Sequence, residues 1–211
     1  MRLDKKKMIA AIIVACTTLF IAIGIHEKKD TRKQLKFGAT YMTMNNPYFV
    51  NMDENIEESV QAKGDILITR DPLQDQKKQN EQIKDMINEG IDVLFLQPVD
   101  RNKVRPALEL CKKKHIPVVV IDSEVSDTEA VVSTIVSDNY DAGVQCAKDM
   151  MKKKTSANII IVNQKALNSI NERVKGFRDT IKGHPQYKIV EEKESAAEFE
   201  IAMKVMEEII Y

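Results

Sequence analysis

The sequence has no tryptophan, and phenylalanine and tyrosine together make up only 5% of its 211 residues. Because aromatic residues are few, an aromatic side chain near a candidate site is stronger evidence of a role in that site. The cysteines Cys16, Cys111 and Cys146 are too few for a disulfide framework, and apolar neighbours predict that Cys111 and Cys146 are buried. The three histidines are scattered, so the sequence predicts no metal site and no cofactor.

Neither sign of charge is in surplus, because 32 lysines and arginines balance 32 aspartates and glutamates. Nucleic-acid-binding proteins normally carry a basic surplus or a basic stripe, so we expect no nucleic-acid partner. The chain also lacks the GxGxxG, P-loop and GxSxG motifs, and no histidine accompanies a candidate nucleophile. We therefore predict that the protein is not an enzyme.

An uncharged apolar segment, residues 8–25, follows a basic start at 1–7 and precedes a charged linker at 26–35. This order is typical of a secretory signal or a signal-anchor of a bacterial envelope protein. Three fates stay open: an uncleaved transmembrane helix, cleavage after Gly24, or lipidation of Cys16 in a lipobox-like sequence. Each predicts that the remainder is exported or membrane-anchored, outside the cytoplasm.

From residue 36 onward, short apolar runs alternate with segments of helical periodicity. Runs such as VLFL and NIIIV are apolar throughout, which is typical of parallel strands covered on both faces. The pattern predicts an α/β fold with an open parallel sheet and helices on both faces. The predicted strands are 36–42, 65–69, 93–96, 117–121, 131–136, 158–162 and 187–190, and the predicted helices are 47–63, 74–89, 102–115, 140–153, 171–182 and 197–210.

Polar and aromatic residues follow three of the predicted strands. Asn46, Tyr48 and Phe49 come after the first strand, Gln97 after the third and Asp122 after the fourth. Ligands of open α/β sheets bind beyond the carboxyl ends of the strands. Amides and carboxylates pair with hydroxyls and aromatic faces stack on sugar rings, so this set predicts a sugar site.

Each of these residues also has a purely structural interpretation. Asn46 before Pro47 is a good helix start. Phe49 falls on the apolar face of that helix, and Asp122 could cap a turn. Tyr48 lies off the apolar face, which favours a role in the cleft.

Four segments resemble the ribose-type periplasmic sugar-binding proteins in order and spacing: MNNPYFVNM, DPLQDQKKQNEQIKDMINEGIDVLFLQPVD, IPVVVIDSE and VSDNYDAG. Together these matches cover about residues 37–177. The resemblance implies the periplasmic-binding-protein-like I fold, in which two α/β lobes joined by a hinge clamp a sugar. We expect a nearly complete first lobe at 36–137 and a partial second lobe at 138–211.

The resemblance also implies roles for individual residues. Asn46 would bind the sugar by hydrogen bonds, Asp122 would accept from two hydroxyls, and Arg173 would donate from the second lobe. Tyr48 and Phe49 would stack on the sugar or wall it, and Gln97 stands where the family often has asparagine. The first hinge crossing would be Ser137, Asp138 and Asn139.

The sequence departs from the family pattern in three places. Ser123 stands where the family often has an arginine, which removes a bidentate donor. At the start of the last helix, Ala197 takes the place of a stacking aromatic residue, unless the register shifts to Phe199. The chain ends at Tyr211, before a substantial part that family members carry, so we expect a C-terminally truncated member.

The resemblance implies sugar binding for an ABC-type uptake system, with a membrane permease as the partner. One alternative is a ligand-sensing partner of a two-component kinase or chemoreceptor. Another is a non-functional fragment of either kind of protein.

Overall fold

A five-stranded parallel sheet forms the larger part of the computed structural model, which describes residues 32–129 and 131–210. The strands lie in the order β2–β1–β3–β4–β5, and every neighbouring pair is parallel. They are β1 (Lys36–Thr40), β2 (Ile66–Arg70), β3 (Val93–Leu96), β4 (Val118–Ile121) and β5 (Val131–Ile135). The predicted α/β class with a parallel sheet is confirmed.

A second, two-stranded parallel sheet contains β6 (Ala157–Asn163) and β7 (Tyr187–Glu194). The prediction ended β7 at residue 190, but the strand continues because Glu191–Glu194 pair with Ile160–Asn163 of β6. Pairing with an apolar neighbour thus extends a strand whose own sequence turns polar.

Among the described residues, five helices lie between strands and a sixth follows β7. Side chains cap the N-termini of three of them: Asn46 caps α1, Asp75 caps α2 and Asp138 caps α4. The helices are α1 (Pro47–Gln61), α2 (Gln76–Asn88), α3 (Arg105–Lys114), α4 (Asn139–Lys153), α5 (Asn168–Ile181) and α6 (Phe199–Ile210).

Helices cover both faces of the larger sheet, because alternate strand residues point to opposite sides. On one face, Leu94 and Leu96 of β3 pack with residues of α2 and α3, among them Ile83 and Leu108. On the other face, Phe95 belongs to the cluster that contains residues of α1. β3 is therefore packed on both faces, as its continuous apolar sequence predicts.

The described part of the connection after β4 contains no helix, in agreement with the predicted elements, which place none between residues 121 and 131. Residues 122–129 form neither helix nor strand, yet β5 returns to pair in parallel with β4 at the sheet edge. Cys111 is buried in the core as predicted, whereas Cys146 is exposed. The prediction for Cys146 was wrong because the buried face of α4 runs instead through Gly143 and Ala147.

Within residues 32–129 and 131–210, no helix combines the length and the apolar character needed to cross a bilayer. The predicted N-terminal segments 1–7 and 8–25, including Cys16, lie outside the described residues.

Candidate functional site

A cavity of about 350 Å³ lies beyond the carboxyl ends of β1 and β4. Five of the six predicted ligand-binding residues line it: Asn46, Tyr48, Phe49, Asp122 and Arg173. The remaining lining residues are Met42, Ser137, Leu167, Ser169, Ile170 and Ala197. The cavity therefore combines residues that follow the larger sheet with residues next to the smaller one.

The start of α1 supplies one wall of the cavity. The Asn46 Oδ1 accepts a hydrogen bond of 3.0 Å from the Tyr48 N–H, which fixes the helix start. The Phe49 side chain is 3% exposed and the Tyr48 side chain 52%. Their rings meet edge to face with centroids 5.4 Å apart. Phe49 thus anchors the wall in the core, and Tyr48 presents its ring and hydroxyl to the cavity.

Asp122 directly follows β4 in the left-handed backbone region, with φ of 64°. Its N–H donates a bond of 2.9 Å to the Ile135 carbonyl, so the neighbouring strand holds this conformation. A left-handed aspartate is uncommon, and such conformations cluster at functional sites.

Burial raises the pKa of the Asp122 carboxyl above its ordinary value, although the Arg173 guanidinium and the Tyr48 hydroxyl partly offset this. Burial likewise raises the pKa of Tyr48, and the charge of Asp122 adds to that shift. Tyr48 consequently remains a protonated donor next to the carboxylate.

Arg173 reaches the cavity from α5, which packs very closely on α4. A Cβ at Gly143 would lie 2.0 Å from the Arg173 carbonyl oxygen, and a Cβ at Gly176 would lie 2.1 Å from the Tyr140 carbonyl oxygen. The two glycines therefore permit this helix crossing. The Arg173 Nε donates a bond of 2.8 Å to the Asn139 Oδ1, which orients the guanidinium.

The structure places Gln97 outside the cavity lining, fully buried in the core. Its Oε1 accepts a bond of 2.5 Å from the Met42 N–H, and Met42 does line the cavity. Its carbonyl accepts from the Gln79 Nε2 at 2.9 Å. Its own Nε2 has no hydrogen-bond partner among the described residues. Gln97 thus supports the loop behind the cavity wall.

The three predicted hinge residues link β5 to α4. Ser137 lines the cavity. The Asp138 Oδ1 accepts a bond of 2.9 Å from the Asp141 N–H, and the Asn139 Nδ2 donates at 3.0 Å to the Ser137 carbonyl. These bonds fix the direction in which the chain leaves the larger sheet.

Ser123 and Ala197 are the two positions at which the family pattern predicts other residues. One is buried beside the cavity and the other lines it. Ser123 is fully buried, and its Oγ accepts a bond of 3.3 Å from the Ser169 N–H. Ala197 lines the cavity, whereas Phe199 is 78% exposed and lies outside it. The aromatic side chain therefore stays outside the cavity, and a methyl group occupies the predicted stacking position.

Sequence reasoning missed Met42, Leu167, Ser169 and Ile170. The last three lie at the start of α5, after β6, at the same kind of strand end from which the other candidates were collected. A search of every strand end would have included them. Across residues 32–129 and 131–210, no group of three or more His, Cys, Asp or Glu side chains is placed to hold a metal ion.

Comparison with known proteins adds independent information. A family model described as a periplasmic binding protein domain matches residues 37–211. The ribose import binding protein of Bacillus subtilis is 28% identical over 149 residues, which cover 67% of this chain and 48% of that protein. The chain therefore spans about half the length of this relative.

Solved structures share the fold. An ABC transporter solute-binding protein from Mycobacterium smegmatis with bound glycerol is 28% identical, with a TM-score of 0.79 over 84% of this chain and 62% of the other. The fructose-binding periplasmic domain of a hybrid two-component system is 22% identical, with a TM-score of 0.76 over 84% of this chain and 59% of the other. With the family model matching most of its length, the chain belongs to the periplasmic binding protein domain family.

Proposed function

We propose that the chain is the sugar-binding part of an extracytoplasmic solute-binding protein that serves an ABC-type import system. The observation that carries this proposal is the meeting of Tyr48, Asp122 and Arg173 around one cavity. A planar carboxylate, a guanidinium and an aromatic ring are suited to a small polyhydroxylated molecule.

Each side chain has a defined part in this proposal. The Asp122 carboxylate accepts from two sugar hydroxyls, and the Arg173 guanidinium and the Asn46 amide donate to sugar oxygens. Tyr48 covers one face of the ring, and Phe49 holds Tyr48 in place. Gln97 contributes indirectly, through its bond to the Met42 N–H.

In this proposal, two lobes, 36–137 and 138–211, close on the sugar. The hinge between them lies at Ser137, Asp138 and Asn139. Periplasmic binding proteins commonly close around a ligand by hinge motion. A permease would recognise the closed form. Similarity to a ribose import binding protein and to an ABC transporter solute-binding protein supports this import function. We expect binding without chemical turnover.

Residues 8–25 would bring the protein to the membrane, by an uncleaved helix, or would export it by cleavage after Gly24 or lipidation of Cys16. A second candidate function is ligand sensing for a membrane kinase. It is favoured by the structural similarity to the fructose-binding domain of a two-component system and by the simplest fate of the N-terminal segment, an uncleaved anchor.

Calorimetric titration of the purified chain with pentoses and hexoses tests the proposal. A form continued by any sequence that follows Tyr211 in the gene is titrated in parallel. The proposal expects at least one sugar to bind, and Tyr48→Ala to weaken that binding by about tenfold. Leu73→Ala, which alters another exposed apolar residue outside the cavity lining, is the matched control. Failure of both forms to bind any sugar contradicts sugar binding.

A further inference from the structure

A second cavity of about 340 Å³ adjoins the candidate sugar site. The two cavities share Asn46 and Ala197 in their linings. The second one continues along the start of α6, past Glu198 and Phe199, and along the loop after β1, past Thr43 and Asn45. Together the cavities offer roughly twice the space of the sugar site alone.

Where the two cavities meet at residue 197, the side chain is only the methyl group of an alanine. Ala196 and Ala197 both adopt left-handed backbone conformations, with φ of 53° and 55°. Two consecutive non-glycine residues in this region cost free energy, and such strain is retained mainly where the surrounding structure needs it. This backbone turns Ala197 toward the sugar site and leaves Phe199 beyond it, in the second cavity.

The second cavity repeats the chemistry of the first. Phe199 is 78% exposed, so an aromatic ring stands uncovered at the cavity wall. Glu198 accepts a hydrogen bond from the Gln74 side chain and so is held at the start of α6, and Glu200 lies in its first turn. Carboxylates beside an uncovered aromatic ring suit a second hydroxylated ring better than an apolar substituent.

We infer that the site accepts a disaccharide, with one ring between Tyr48 and Arg173 and the second ring against Phe199. Asn46 lies at the junction and can donate to the oxygen that links the two rings. This inference rests on the proposed sugar binding and specifies the size of its ligand. Ala197 is then the residue that decides specificity, because a larger side chain there would close the passage.

The test compares disaccharides with their constituent monosaccharides by calorimetric titration of the full chain. We expect at least one disaccharide to bind about tenfold more tightly than either of its monosaccharides. Phe199→Ala should remove most of this advantage and leave monosaccharide affinity unchanged. Met203→Ala, at another exposed apolar residue of α6, is the control and should change neither affinity.

Ala197→Phe provides an independent variant, with thermal unfolding to check that it folds. It should remove the disaccharide's advantage, so that no disaccharide binds more tightly than its monosaccharides. If monosaccharides bind but no disaccharide binds more tightly, or if Phe199→Ala weakens both classes equally, the inference is overturned and the proposed function stands. If neither class binds, the proposed function fails together with the inference.

Discussion

Among single residues, Asp122 combines two features that oppose stability. Its backbone lies in the left-handed region, and burial raises the pKa of its carboxyl. Both features cost free energy in the folded protein and neither contributes to the core. A residue of this kind is better explained by ligand binding than by its alternative role as a turn cap.

We therefore predict that Asp122→Asn stabilises the protein and weakens sugar binding. Because the pKa is raised on folding, the ionised carboxylate destabilises the fold above the pKa of the folded state, and this cost disappears below the pKa of the unfolded state. The variant should gain stability at pH 7.5 and lose that gain near pH 3. Denaturant unfolding at both pH values measures the difference. An equal difference at both pH values would contradict the assigned cause.

Sugar affinity of the same variant should fall by about 1.5–3 kcal/mol, the usual contribution of hydrogen bonds to a charged group. Asp127→Asn is a control, because Asp127 lies in the same connection outside the candidate cavity. It should leave the affinity unchanged in calorimetric titration.

Gln97 illustrates a residue whose effect is indirect. Gln97→Ala removes the acceptor of the buried Met42 N–H, and leaving a buried donor unsatisfied costs about 1–3 kcal/mol. We expect that loss in the free energy of unfolding, measured by urea denaturation, with a smaller loss of sugar affinity. A large loss of affinity with unchanged stability would instead favour direct contact between Gln97 and the sugar.

At the scale of elements, the crossing of α4 and α5 positions Arg173. Gly143→Ala would place a methyl group 2.0 Å from the Arg173 carbonyl oxygen, which is backbone and cannot rotate away. We predict a destabilisation of about 1–3 kcal/mol, or more, together with weaker sugar binding because α5 must shift. Thermal unfolding and titration measure both effects.

Gln145→Ala changes an exposed residue of the same helix and should alter the stability by less than about 0.5 kcal/mol. If Gly143→Ala behaved like this control, the close helix crossing would not hold in solution.

The sequence predicts those parts of the fold and site that depend on local pattern. Apolar runs reveal the strands. Asp122 is found because it follows β4 directly, and Asn46, Tyr48 and Phe49 are found because they lie where β1 leads into α1. The start of α5 also follows a strand, but Leu167 precedes it without any capping side-chain bond, so its place after β6 is the signal that marks it. The orientation of the Gln97 side chain depends on its bond to the Met42 N–H, 55 residues away in the sequence, and no local pattern contains that information.

Across the whole molecule, polar contacts outside the cavity join the two proposed lobes. The Arg101 N–H donates a bond of 3.2 Å to the Ala166 carbonyl, and the Arg101 guanidinium donates to the Asn168 side chain. The Asn168 Nδ2 donates in turn at 2.6 Å to the Glu124 carboxylate. Leu167 is buried in the same cluster as Tyr41 and Phe49. In the proposed hinge motion, these contacts would favour the closed arrangement even without bound sugar.

Arg101→Ala should therefore shift the protein toward an open form. A ligand that binds only the closed form loses apparent affinity in proportion to the closed population, so we predict weaker binding without any change in the cavity lining. Small-angle scattering should show a larger radius of gyration without sugar and a return to the compact value with saturating sugar. Lys103→Ala, which removes a salt bridge to Asp100 of the same lobe, is the control. Unchanged scattering with unchanged affinity would show that the aromatic and apolar contacts around Leu167 hold the lobes together by themselves.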